Sequence, residues 1–332
     1  MYTAESQKGI PLRGIKNTAA WGSLKDYLPA VLAIIALICL GQILSPGFAS
    51  FQNLFNVLNM ASILIFICVG QLIVIVGGNN GIDLSVGAVV SMGALIGPSF
   101  INGKNSLIIV GIIGVLLLGA AIGLLNGLGT QIMQIPALAM TLFVSTIVDG
   151  LTLALTRGLP SLNIPGGLLL IGKPIIGTLC PILIIAVFVV ITVECLLSKS
   201  TFGKSLYLTG SNRNASRLCG IRVTRLSILT YVISGAVACF SGLMLVGYIG
   251  SGQLQMGADY TMMSVAAVVI GGAKVSGGKG TLIGSVLGSV VLILLNSVLV
   301  AIGLPEGVRQ LIQGSILLAV LLVNSRLPSL RQ

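Results

Sequence analysis

Histidine is absent from this chain, tryptophan occurs once, and only seven of its 332 residues are acidic. Without an imidazole the chain lacks the side chain that most often serves as a general base or metal ligand near neutral pH. Seven carboxylates leave few acid–base pairs or metal clusters to assemble. No catalytic residue, metal site or cofactor is therefore assigned. The six cysteines (Cys39, Cys68, Cys180, Cys195, Cys219, Cys239) form no C-x-x-C pair and lie mostly within apolar runs. They read as small buried hydrophobes rather than ligands or disulfide partners. Charge is scarce as well: 8% of residues are charged, against about 25% in a soluble protein, so most of the surface cannot face water.

Apolar residues make up 55% of the chain, and the mean hydropathy is +1.10. In lipid, only helices and closed barrels satisfy every backbone polar group. The apolar runs are continuous rather than alternating, which excludes the barrel. The predicted fold is all-α: a polytopic helical membrane protein of about ten transmembrane helices. At about 20 apolar residues per span, these fall at 28–44, 57–76, 84–101, 107–128, 137–155, 174–197, 227–249, 260–273, 281–302 and 308–324. Residues 1–27 form a polar, basic tail with no A-x-A site after the first run, which reads as an uncleaved anchor. Residues 28–325 form the membrane domain and 326–332 a second tail.

The net charge of +11 would point to nucleic acid in a soluble protein. Its distribution gives another reading. Fourteen of the eighteen cations share a side with the N-terminus: Lys8 to Lys25, Lys199 to Arg225, Lys274 and Lys279, Arg326 and Arg331. Only Lys104, Arg157, Lys173 and Arg309 lie opposite. A bias this one-sided places both termini in the cytoplasm, and no nucleic acid is needed. One long polar segment, 198–226, interrupts the spans on that side; loops 45–56 and 156–173 lie outside and are too small to fold as domains.

The chain holds 44 glycines. Gly119, Gly123 and Gly127 share one face of the fourth span and Gly280, Gly284 and Gly288 one face of the ninth, which predicts close helix packing. Spans two and eight end at Gly77-Gly78 and Gly271-Gly272. Such breaks either line a transport path or make ordinary tight hairpins. Residues 272–281 resemble a phosphate loop, but Ala273 stands where the first glycine belongs and Gly280 where a hydroxyl belongs. The chain is not expected to hydrolyse ATP itself.

Acids near or inside spans are functional candidates because burying them is costly. Asp83, followed by Ser85, either marks the path or caps the third helix. Asp149 and Glu194 leave ion-coupled transport as an alternative. Within 198–226, Ser211 or Asn212 can cap a two-turn helix that Gly220 ends. On it Arg213 and Arg217 share a face beside Ala215. So short a helix needs support, either from anionic lipid or from the groove of a soluble partner.

At this point the residues resemble a family. Gly77-Gly78 followed by Gly81-Ile82-Asp83-Leu84-Ser85-Val86-Gly87, Thr201-Phe202-Gly203-Lys204 through Gly220-Ile221, and Tyr260 with Ala266 to Gly272, Gly277-Gly278 and Gly280 form three blocks. They are similar to those of the membrane permease subunits of bacterial ribose-, xylose-, galactose- and autoinducer-2-type ABC importers, within the branched-chain amino acid/sugar permease superfamily. The resemblance implies a monosaccharide or related sugar as solute and a location in the inner membrane. It implies a separate cytoplasmic ABC ATPase docking at Ser211, Asn212, Arg213, Asn214, Ala215, Arg217 and Gly220. Gly77, Gly78, Asp83, Ser85, Gly271 and Gly272 are then the expected pathway and hinge residues. Other implied partners are a periplasmic or lipid-anchored solute-binding protein and a second permease copy or paralogue. The sequence departs from many sugar permeases in reading Asp259-Tyr260-Thr261-Met262-Met263 where they read Gly-Tyr-Glu-Leu-Asp. Only sixteen aromatics, with Trp21 the lone tryptophan, argue for selectivity carried chiefly by the binding protein. Competing readings are an ion-coupled secondary transporter and an ABC permease for a nucleoside or branched-chain amino acid.

Overall fold

The structure, a computed structural model, describes residues 24–78, 81–175 and 177–325. The first tail up to residue 23 and the last from 326 lie outside the described residues. Among those described, every regular element is a helix. We label them α1 (Leu24–Leu44), α2 (Phe51–Val76), α3 (Val86–Ile101), α4 (Ile108–Gln131), α5 (Ala137–Thr156), α6 (Gly166–Leu169), α7 (Pro181–Lys199), α8 (Thr201–Ser211), α9 (Arg213–Leu218), α10 (Val223–Ile249), α11 (Ala258–Ile270), α12 (Leu282–Ala301) and α13 (Glu306–Ser325). A helix overlies each predicted span. Among the described residues, seven are long and apolar enough to cross a membrane, while α3 and α11 are shorter apolar helices.

Local chemistry explains where the boundaries differ from the sequence reading. The second helix begins at Phe51, not at 57, because the Ser50 hydroxyl accepts the Asn53 N–H and caps it. The seventh begins only at Pro181, a residue suited to the first helical turn. The segment 198–226 holds two helices rather than one. Missing from the sequence reading was α8, which starts where the Ser200 hydroxyl accepts the Gly203 N–H at 3.2 Å. The cysteine reading is corrected for half the set: Cys68, Cys180 and Cys239 are buried, whereas Cys39, Cys195 and Cys219 are exposed.

Packing centres on α2, which is buried throughout from Ala61 to Val76 by α10, α12, α11 and α7. The predicted glycine faces are used inside the chain. A Cβ at Gly119 would run into the Gly235 carbonyl, and one at Gly123 into the Tyr231 carbonyl, so α4 lies directly on the backbone of α10. On the other stripe Gly284 meets Gly271 and Gly288 meets Ala267, closing α12 onto α11. In lipid no hydrophobic force draws helices together, so contact at this range supplies the attraction through dispersion and weak polar contacts. Large apolar side chains of α1, α4, α5 and α7 point outward, the side a bilayer would solvate.

Candidate functional site

The two Gly-Gly breaks are built alike. At the end of α2, Gly77 and Gly78 donate their N–H groups to the Ile73 and Ile75 carbonyls, both at 3.1 Å. At the end of α11, Gly271 and Gly272 donate to Ala267 at 2.9 Å and Val269 at 3.0 Å. Gly78 and Gly272 both take left-handed backbone (φ +79° and +90°), a conformation in which a side chain is strained. Residues 75–78 and 269–272 thus share one way of ending a helix.

Around the first break the three sequence blocks converge. A Cβ on Gly78 would lie 2.8 Å from the Gly210 Cα, one on Gly210 would run into the Val76 carbonyl, and one on Gly277 into the Gly78 Cα. The Gly278 N–H donates to the Val76 carbonyl at 3.0 Å, and the Tyr207 hydroxyl donates to the Gly280 carbonyl at 2.9 Å. Burial first, then Glu194 and Tyr27, raise the Tyr207 pKa and keep it a donor. The end of α2, the end of α8 and the α11–α12 loop therefore touch backbone to backbone. This also explains the incomplete phosphate loop: a glycine N–H that would cradle phosphate is spent on α2.

Deeper in the bundle lies Asp83, fully buried. Its Oδ1 accepts the Ser85 N–H at 3.0 Å and the Ser85 hydroxyl at 2.6 Å; its Oδ2 accepts the Ser234 hydroxyl at 2.8 Å. The Asn126 amide donates to the Ser85 Oγ at 2.8 Å. The N-cap position of α3 belongs to Ser85, so the capping role considered for Asp83 is corrected. It sits two residues earlier, beside the positive end of the helix, and ties the start of α3 to α10, while Ser85 takes the bond from Asn126 on α4. Nearby the two short helices meet at their N-termini: the Gly257 N–H, just before α11, donates to the Ser91 hydroxyl of α3 at 2.9 Å. A Cβ at Gly87 would collide with the Gly257 carbonyl and the Thr261 hydroxyl.

The expected short helix is present as α9. Asn212 caps it, its Oδ1 accepting the Ala215 N–H at 3.0 Å, and Gly220 follows its end in left-handed backbone (φ +80°). Ser211 instead closes α8, its hydroxyl bonded to the Tyr207 carbonyl. The two arginines do not act as a pair. Arg213 turns inward and donates to the Gln131 Oε1 at 2.8 Å and the Ser227 Oγ at 3.2 Å. Burial, then the neighbouring Arg217, lowers its pKa, with Tyr231 opposing. Asn214, Ala215 and Arg217 are exposed, and Leu218 is 90% exposed.

A cavity of about 570 Å³ lies between α9 and the first break, lined by Gly77, Gly78, Gln131, Arg213, Asn214 and Arg217 among others. Of the expected docking residues, Arg213, Asn214 and Arg217 line this cavity, and of the expected hinge residues, Gly77 and Gly78; Asp83 and Ser85 do not line it. Gly271 and Gly272 lie apart, Gly271 against Gly284. Sequence reasoning missed Asn126, Gln131, Ser227 and Ser234 as partners, and no pattern in the chain marks them.

Comparison with known proteins places the chain in a family. The family described as "Branched-chain amino acid transport system / permease component" matches residues 53–321. The autoinducer 2 import system permease protein LsrC of Photorhabdus luminescens is 34% identical over 301 residues, covering 90% of each chain. The LsrC protein of Yersinia enterocolitica is 33% identical over 298 residues, 90% of this chain and 82% of its own. The ribose import permease protein RbsC of Escherichia coli K12 is 31% identical over 316 residues, 93% of this chain and 96% of its own. No solved structure matches. With relatives of this kind and seven helices of membrane-crossing length, this is a multi-pass inner-membrane protein. The chain belongs to the permease-component family of branched-chain amino acid-type transport systems.

Proposed function

We propose that this chain is the membrane permease of an ABC importer for a monosaccharide or related small sugar. The observation that carries the reading is the convergence of the three sequence blocks on one backbone joint beneath α9. The names of the ribose and autoinducer 2 relatives support the solute class. On this reading both termini are cytoplasmic, the ten apolar helices all cross the membrane, and α8–α9 receives a separate ATPase. A solute-binding protein delivers solute to the opposite face, and a second copy or paralogue completes the path. The ATPase states shift a two-state equilibrium of the bundle. Displacing α9 pulls on α4 through Arg213 and Gln131, on α10 through Ser227, and on the end of α2 through Gly210.

The ion-coupled alternative rests on Asp149 and Glu194, with Asp83 the most deeply buried acid. That carboxylate already accepts three hydrogen bonds within the chain, which favours a structural latch. The deciding experiment is uptake in liposomes. ATP-dependent sugar uptake by the chain co-purified with its ATPase and binding protein is the expected result. Uptake by the chain alone, driven by an imposed ion gradient, would overturn the proposal.

A further inference from the structure

We propose that a second cavity, between α11, α12 and α13, is a contact site for the transported solute and admits neutral, hydroxyl-rich molecules. This rests on the transport reading above. The cavity holds about 370 Å³ and is lined by Asp259, Met262, Met263, Leu292, Gln310 and Gln313, with Gly314 leaving the α13 wall open. Sites for small molecules run from roughly 300 to 1,000 Å³.

Its lining argues that something polar enters. Asp259 lies two residues beyond Gly257, whose N–H is bonded to Ser91 inside the bundle where α3 and α11 start. Asp259 is exposed and takes part in none of the ion pairs among the described residues.

The groups facing the cavity then select the ligand. Gln313 commits an amide N–H to the Asn296 Oδ1 at 3.2 Å, and Gln310 one to Glu306 at 3.3 Å. Both side chains keep a carbonyl oxygen to offer, beside the Asp259 carboxylate. Each amide also keeps one N–H, so the wall both accepts from and donates to hydroxyls, while the Asp259 charge disfavours carboxylates and phosphates. Met262 and Met263 supply soft apolar surface for the C–H faces of the same molecule.

The test uses the complete complex in liposomes and ATP-driven uptake of radiolabelled D-ribose, D-xylose, D-galactose and L-leucine. Uptake of a sugar and not of leucine by the unaltered complex supports the transport reading. Asp259→Ala and Gln313→Leu should each raise KM for that sugar about tenfold, with Asp259→Glu restoring part of it and the ATPase still co-purifying. Unchanged KM in both variants would overturn this site while leaving the sugar reading in place. Loss of a second copy on co-purification, with KM unchanged, would assign the face to a subunit contact and equally overturn it. Uptake of leucine alone, or of none of the four, would overturn the sugar reading and this inference together.

Discussion

Gly78 and Gly210 meet backbone to backbone, so a Cβ on the first would lie 2.8 Å from the Cα of the second. The contact ties the end of an enclosed membrane helix to the end of α8, just before α9. An added methyl forces the two apart, at about 1–3 kcal/mol. We expect Gly210→Ala to lower the unfolding temperature in detergent and to weaken solute-stimulated ATPase activity of the complex. Equal stimulation with equal stability would remove the joint from the mechanism.

Arg213 and Leu218 separate two functions that the sequence reading merged. Leu218→Asp should abolish co-purification of the ATPase while leaving the permease folded, since its side chain is 90% exposed. Arg213→Gln should retain the ATPase but lose transport, because the ties to Gln131 and Ser227 are what it removes. Pull-down and uptake on both variants decide the matter; identical phenotypes would refute the division.

Asp83 supplies three acceptor contacts at a fully buried position. Asp83→Ala strands the Ser85 N–H and two hydroxyls, each costing about 1–3 kcal/mol. Asp83→Asn, which keeps an acceptor, should be milder. Thermal unfolding of both in detergent checks the order, and a more stable alanine variant would contradict it.

Cys219 reports orientation. It is exposed beside α9, whereas Cys39 and Cys195 lie on the membrane-spanning α1 and α7. A membrane-impermeant maleimide should label Cys219 in inside-out vesicles and not in intact spheroplasts, and bound ATPase should protect it. Labelling from the outside would reverse the topology.

Much of this architecture was legible in the chain, for a physical reason. Spans, glycine stripes and the cap at Asn212 are local: each is written in neighbours a few residues apart. The joint is not local. Gly78, Gly210 and Gly277 belong to three distant segments, and only the folded bundle shows that their missing side chains serve one contact. The direction of Arg213 was equally hidden, because helix spacing gives a shared face for Arg213 and Arg217 but not what that face meets. Likewise the altered stretch 259–263 stood out only as a departure; the structure puts Asp259, Met262 and Met263 on one cavity.

The enclosure of α2 bears on how the protein is made. This helix carries Asn59, Ser62 and Gln71, all fully buried, yet α10, α11 and α12, which cover it, leave the ribosome much later. At roughly 5–20 residues per second, the delay is on the order of tens of seconds. Throughout that interval a helix with polar side chains waits without its shell, against lipid or the insertion machinery. Its long apolar run secures early insertion, and its polar positions become tolerable only once synthesis has passed α12.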